Sequence, residues 1–183
     1  MGAIEIRIIY SGKVLKMSIE AVQQLIQEDF KQVNETILEA LKSDVVLINE
    51  IGKYIVYSGG KRMRPMIALL CARAAGYKGN DHITAAALIE FIHTATLLHD
   101  DVVDHSDMRR GRDTANAIWG NEAAVLVGDF IYTRSFQMMV SLNSMPIMQI
   151  LSNATNIIAE GEVMQLLNIG DPDTTEENYM NVI

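Results

Sequence analysis

The sequence predicts an all-α fold, and three observations carry that prediction. Apolar residues recur at helical spacing from Ser18 onward, only three prolines interrupt the 183 residues, and a β-like pattern is confined to the opening "MGAIEIRIIYSGKVLK". No internal repeat or low-complexity stretch occurs. With 49% hydrophobic and 21% charged residues the chain has enough apolar surface for one core and lies outside the disordered regime. Residues 1–17 read as an N-terminal extension, non-native or disordered, with Met17 as the expected start; residues 18–183 read as one all-α unit.

The first helix is expected over "SIEAVQQLIQEDFKQVNETILEALKS", Ser18 to Ser43, where Val22, Leu25, Ile26, Phe30, Val33, Ile37, Leu38 and Leu41 fall on one stripe. A second helix covers roughly Asp44 to Val56. "YSGGKRMRP" then breaks the pattern, and Pro65 is expected at the first position of a third helix that runs to about Ala75. "GYKGND" reads as a turn. A long buried helix from Thr84 to about Val103 follows, and "AAVLVGDFIYTRSFQMMVSL" and "SMPIMQILSNATNIIAEGEVMQLLNIG" supply two more.

Net charge is −8 with a pI near 4.9, which disfavours a nucleic-acid partner, because that binding depends on neutralising phosphates. The single cysteine, Cys71, excludes an internal disulfide and is expected to pack as a small hydrophobe; a reducing, cytoplasmic setting fits. The most apolar run, "ITAAALIEFIHTATLLH", contains Glu90 and His93 and then meets Asp100, so no transmembrane segment is expected.

Charge concentrates in "HTATLLHDDVVDHSDMRRG". On the predicted helix His93, Leu97, Asp100 and Asp104 share one face, so two carboxylates point the same way. Like charges one turn apart call for a cation between them, and oxygen ligands at this spacing suit Mg²⁺ completed by water and a phosphate ligand. The alternative is a solvated helix end whose aspartates pair with Arg109 and Arg110. "GGKRMRP" supplies Lys61, Arg62 and Arg64 on a glycine loop before a helix N-terminus, a place that attracts anions. Arg62 and Arg64 are expected to face different ways, leaving Lys61 and Arg64 as the pair on a common ligand. A Walker loop is excluded, since Ile55 stands where its first glycine belongs and Arg62 replaces its Ser or Thr. A phosphate-type loop beside a Mg²⁺-type carboxylate pair describes diphosphate chemistry.

In order and spacing, "GGKRMRP", "LIEFIHTATLLHDDVVDHSDMRRG" and "LVGDFIY" resemble the trans-polyprenyl diphosphate synthase family, and within it the bacterial synthases of octaprenyl chains, which build quinone side chains. The resemblance implies a helical bundle of the isoprenoid synthase type, here truncated to its N-terminal helices. It implies a homodimeric prenyltransferase that condenses isopentenyl diphosphate onto an allylic diphosphate with Mg²⁺, and a peripheral membrane contact for releasing an apolar product. It further implies that Asp100 and Asp104 bind the metal with Asp101 supporting, and that Arg109 holds the allylic diphosphate. Lys61, Arg64, His93 and Arg110 would hold isopentenyl diphosphate, and small Ala95 and Thr96 would leave room for a long product. The resemblance also implies that the released diphosphate takes the proton, so no side-chain acid or base is assigned, and His99 and His105 stay unassigned. The family's second aspartate-rich motif lies beyond Ile183, so this chain is expected to be inactive alone. "GDPDTTEE" is no substitute: Asp171 and Asp173 read as a turn and N-cap. The rival readings are a noncatalytic partner subunit or remnant, and a terpene cyclase, which would not need the basic loop.

Overall fold

The computed structural model describes residues 6–10, 13–17, 19–170 and 172–182. Its β-like opening is a ribbon, β1 (Ile6–Tyr10) paired antiparallel with β2 (Lys13–Met17) so that Ile6 lies opposite Met17. Helices dominate the rest, as the periodicity predicts. The expected first helix is two, α1 (Ile19–Leu25) and α2 (Gln27–Ala40), because Ile26 leaves helical geometry at φ −116°, ψ 11°. The break seats Ile26 in the core at 1% exposure while Leu25 turns outward at 58%.

Next come α3 (Val46–Tyr57), α4 (Met63–Ala74) and α5 (Asp81–Val103). Pro65 occupies the third position of α4 rather than the first, which is tolerated because N–H groups of the first turn have no helical acceptor. Cys71 is exposed, contrary to expectation: α4 buries Pro65, Met66 and Leu69, and two residues past Leu69 the helix has rotated by about 200°. Helices α2, α4 and α5 pack on one another around Val33, Ile37, Leu69, Leu88 and Leu98, each exposed by 1% or less. Burial of such side chains contributes about 1.5–3 kcal/mol apiece and holds α5, the helix that carries the aspartates, as a rigid rod. A polar clasp ties the same helices together outside the core. Asp29 of α2 accepts from Arg73 of α4 at 2.9 and 2.8 Å and lies 3.3 Å from Nε2 of His82 on α5.

After α5 a short hairpin, β3 (Met108–Arg109) and β4 (Arg112–Asp113), leads into α6 (Ala115–Trp119) and α7 (Asn121–Ser141). Periodicity missed the hairpin and α6, both too short to show a repeat. His99 of α5 reaches the backbone oxygen of Val125 and the carboxylate of Asp129, at 3.2 Å each, and so links α5 to α7.

The chain divides into two compact units, Met1–Met138 and Met139–Ile183. Within the second, α8 (Met145–Leu167) packs with α9 (Glu176–Val182). The cap of α9 is Thr175, whose Oγ1 accepts from Asn178 N at 3.1 Å, rather than the expected Asp173; Asp171 lies outside the described residues. No helix among the described residues is long and apolar enough to cross a membrane.

Candidate functional site

The glycine loop "GGKRMRP" enters α4 through Arg62, the N-cap, which holds the left-handed conformation at φ 45°, ψ 44°. A residue with a Cβ meets steric cost there, about 1–2 kcal/mol, so the surrounding structure must enforce it. The reversal sets Lys61, Arg62 and Arg64 around one open cavity of about 590 Å³, together with Glu90, His93 and Arg110. Lys61 and Arg64 thus border the same cavity, and Arg62, expected to face another way, borders it too. A regular alternation cannot bring all three to one side, whereas a left-handed residue between them can. Arg62 also donates to the backbone oxygen of Val56 at 3.3 Å, near the C-terminus of α3, where a cation is favoured.

The second wall of the cavity comes from the β3–β4 hairpin. Its register pairs Arg109 with Arg112, so Arg110 and Gly111 form the turn, and both have positive φ, 55° and 76°. Positive φ at both central residues is the signature of the type I′ hairpin turn. This geometry separates two adjacent arginines. Arg109, on the strand, donates to Asp101 Oδ1 through Nε at 2.9 Å and a terminal nitrogen at 2.8 Å. Arg110, at the tip, donates to the backbone oxygen of Gly59 in the glycine loop. A Cβ on Gly60 would lie 2.5 Å from the Arg110 guanidinium, so glycine is what lets this side chain approach. Tyr54 of α3 fixes the hairpin's far end, donating to the backbone oxygen of Asp113 at 2.6 Å.

The floor is α5. Glu90 and His93, three residues apart, both border the cavity. Burial lowers the His93 pKa to about 4, and the cations Arg64, Arg110 and Arg109 add to the effect, so its imidazole is neutral at pH 7. Burial raises Glu90 against the opposing pull of Arg62, Arg64 and Arg110. Three arginines therefore act on a site that also contains a neutral imidazole able to donate or accept, a constellation made for a multiply charged anion.

Farther along α5, about 10 Å from His93 by helical rise, Asp100 is half-buried and Asp104 stands exposed as the helix C-cap. Asp101 departs from that face. It is 3% exposed, and its carboxylate is paired with Arg109. Among the described residues no group of three His, Cys, Asp or Glu side chains could hold a metal. Two carboxylates one turn apart at a helix C-terminus, where backbone carbonyls add negative potential, nevertheless fit a hard cation that keeps water and takes ligand oxygens. Ala95 is 1% exposed, and Thr96 is half-buried with its hydroxyl donating to the backbone oxygen of His93 at 2.9 Å.

The structure therefore brings Lys61, Arg64, His93 and Arg110 to one cavity, and places Arg109 on Asp101 beside it. Sequence reasoning missed Glu90, although its three-residue spacing from His93 was readable, and Arg62, whose backbone conformation was not.

Comparison with known proteins follows the same lines. Residues 45–183 match the family model described as polyprenyl synthetase. The chain is 66% identical over 167 residues to the octaprenyl diphosphate synthase of Escherichia coli K12, covering 91% of this chain and 52% of that protein. It is 47% identical over 171 residues to the geranyl-diphosphate-specific all-trans-nonaprenyl-diphosphate synthase of Rhodobacter capsulatus, covering 91% and 53%. Among solved structures, a polyprenyl synthase of Caulobacter crescentus complexed with calcium and isoprenyl diphosphate superposes with a TM-score of 0.88 at 43% identity, over 91% of this chain and 51% of that one. The chain spans about half the length of the curated relatives it matches.

Proposed function

The chain belongs to the polyprenyl synthetase family, and from that premise we propose that it carries substrate-binding residues of a long-chain trans-polyprenyl diphosphate synthase, which joins isopentenyl diphosphate to an allylic diphosphate. The observation that carries this reading is the convergence of Lys61, Arg64, His93 and Arg110, from three separate segments, on one cavity. That cavity binds the diphosphate of isopentenyl diphosphate. Neutral His93 donates one hydrogen bond to it without adding a buried charge before the ligand arrives. The aspartate face of α5 serves the allylic substrate: Asp100 and Asp104 hold Mg²⁺, and Arg109, oriented by Asp101, reaches the same diphosphate. Bound Mg²⁺ supplies charge stabilisation for the departing diphosphate.

The type I′ turn explains how neighbouring arginines serve two substrates, since Arg109 faces the aspartates and Arg110 the glycine loop. Ionisation of the allylic substrate needs cations around the leaving group, and the attacking double bond must be held by its own diphosphate nearby. Two anion sites along one rigid helix meet both needs. A terpene cyclase would have no use for the second site. An octaprenyl product for quinone side chains, a homodimeric assembly and a peripheral membrane contact at product release complete the proposal.

Calorimetric titration of the purified chain tests it. Isopentenyl diphosphate should bind without metal, whereas an allylic diphosphate should require Mg²⁺. Absence of binding by either ligand would overturn the reading.

A further inference from the structure

We propose that Asn116 is a positioning residue for both anion sites, fixing the hairpin that carries Arg109 and Arg110; the inference rests on the two-site reading above. Asn116 is the second residue of α6 and does not line the basic cavity. Its amide nitrogen donates to two backbone oxygens, that of Asp101 at 3.3 Å and that of Ser106 at 3.1 Å. One side chain therefore joins the end of α5 to the loop that leads into the hairpin.

Thr114 reinforces the same point. Its hydroxyl donates to the Ser106 oxygen at 2.7 Å, its backbone N donates to the Asp107 oxygen at 3.0 Å, and it caps α6 while 2% exposed. The segment between Asp104 and Met108 contains His105 in the left-handed conformation at φ 51°. It closes α5 as a Schellman cap, with His105 N donating to the Val102 oxygen at 3.2 Å and Ser106 N to the Asp101 oxygen at 2.9 Å; Asn116 and Thr114 add side-chain donors to the Asp101 and Ser106 oxygens of that same cap. The arrangement also leaves Asn116 Oδ1 buried with no hydrogen-bond partner among the described residues. Because both donors face carbonyl oxygens, an aspartate of the same shape could not replace it: it has no proton to give and would set negative charge against two acceptors.

Since Arg109 and Arg110 are adjacent on one hairpin, loosening that hairpin should weaken both anion sites together. Substitution of a residue assigned to one site alone, such as Lys61 or Asp100, should weaken that site only. The test uses inorganic diphosphate as the probe on the purified chain, titrated without metal for the basic cavity and with Mg²⁺ for the aspartate face. Asn116→Ala should weaken both titrations about three- to tenfold, and Asn116→Asp at least as much, with the far-UV helical signal retained. Amide hydrogen exchange should accelerate from Ser106 to Arg112 while the core amides of α2 and α5 stay protected. Where an Asn116 variant fails to fold, the isosteric Thr114→Val removes one bond to Ser106 and should give a smaller loss at both sites. Wild-type binding that Asn116→Ala leaves unchanged, or weakens at one site only, overturns the proposal. Absence of binding by the wild type strikes instead at the two-site reading on which it rests.

Discussion

Arg109 and Asp101 are joined through a single carboxylate oxygen, Oδ1, which accepts both Nε at 2.9 Å and a terminal guanidinium nitrogen at 2.8 Å. The aspartate side chain is 4% exposed and the arginine 34%. The middle aspartate of the motif is thus committed to holding an arginine in place, while its neighbours one residue before and three after are left to a shared face.

Replacing Asp101 with Asn should therefore damage the fold as well as the site. Removing one partner of a buried ion pair is usually severe, but Arg109 can rehydrate, so a loss of about 2 kcal/mol is expected. For a chain of this size that corresponds to a fall in Tm of roughly 4–8 °C. A thermal melt checks it, and an unchanged Tm would show that the pair does not constrain Arg109.

Arg110→Asn should separate stability from binding. Asparagine before glycine suits a type I′ turn better than arginine and relieves the strain of φ 55°, about 1 kcal/mol, while losing the bond to Gly59, about the same. Tm should stay within a few degrees. Affinity for isopentenyl diphosphate, measured by calorimetry, should fall about tenfold, the loss of one charge-assisted contact.

His93 and Glu90 should leave opposite marks on stability against pH. A histidine whose folded pKa is about 4 binds fewer protons when folded than when unfolded, so stability falls as pH drops from about 6.5 toward 4. Glu90, with its pKa raised above 4.5, holds its proton more firmly in the folded state, so stability falls as pH rises through that range. In melts at pH 7 and pH 5, His93→Gln should gain relative to wild type at the lower pH. Glu90→Gln should gain at the higher. Parallel curves for all three proteins would contradict the burial that drives both shifts.

Ala95→Phe bears on chain length. Ala95 is closed off at 1% exposure, so an aromatic ring there meets packed neighbours and should cost about 1–3 kcal/mol. In a synthase completed with the remaining half of a relative's domain, the same ring should shorten the product to about three or four isoprene units by blocking the path of the tail. Chromatography of the products decides, and an unchanged long-chain distribution would remove Ala95 from the product's path.

The helices and the aspartate face were legible because both depend on spacing along one element: His93, Asp100 and Asp104 share a face in any α-helix that contains them. Lys61 and Arg64 were legible for a similar reason, lying three residues apart at a helix start. What spacing could not reveal was backbone handedness. The left-handed turns at Arg62 and Arg110 decide which cations meet, and arginine gives no signal for positive φ. Leu25 and Cys71 show the same limit in the fold: a break at Ile26 and the precise rotation of α4 put outside what periodicity alone assigned to the core. Asn116 was invisible because its partners are backbone oxygens, which every residue has.

The central claim is that one helix carries two distinct diphosphate sites, and a crossed titration tests it most directly. Isopentenyl diphosphate without metal, and an allylic diphosphate with Mg²⁺, are titrated into wild type, Lys61→Ala and the double variant Asp100→Asn, Asp104→Asn. Lys61→Ala should weaken isopentenyl diphosphate about tenfold and leave the allylic ligand nearly unaffected. The double variant should abolish Mg²⁺-dependent allylic binding, spare isopentenyl diphosphate and keep the helical far-UV signal. Equal losses of both ligands in both proteins would contradict two sites, and unchanged allylic binding in the double variant would return the aspartates to a solvated helix end.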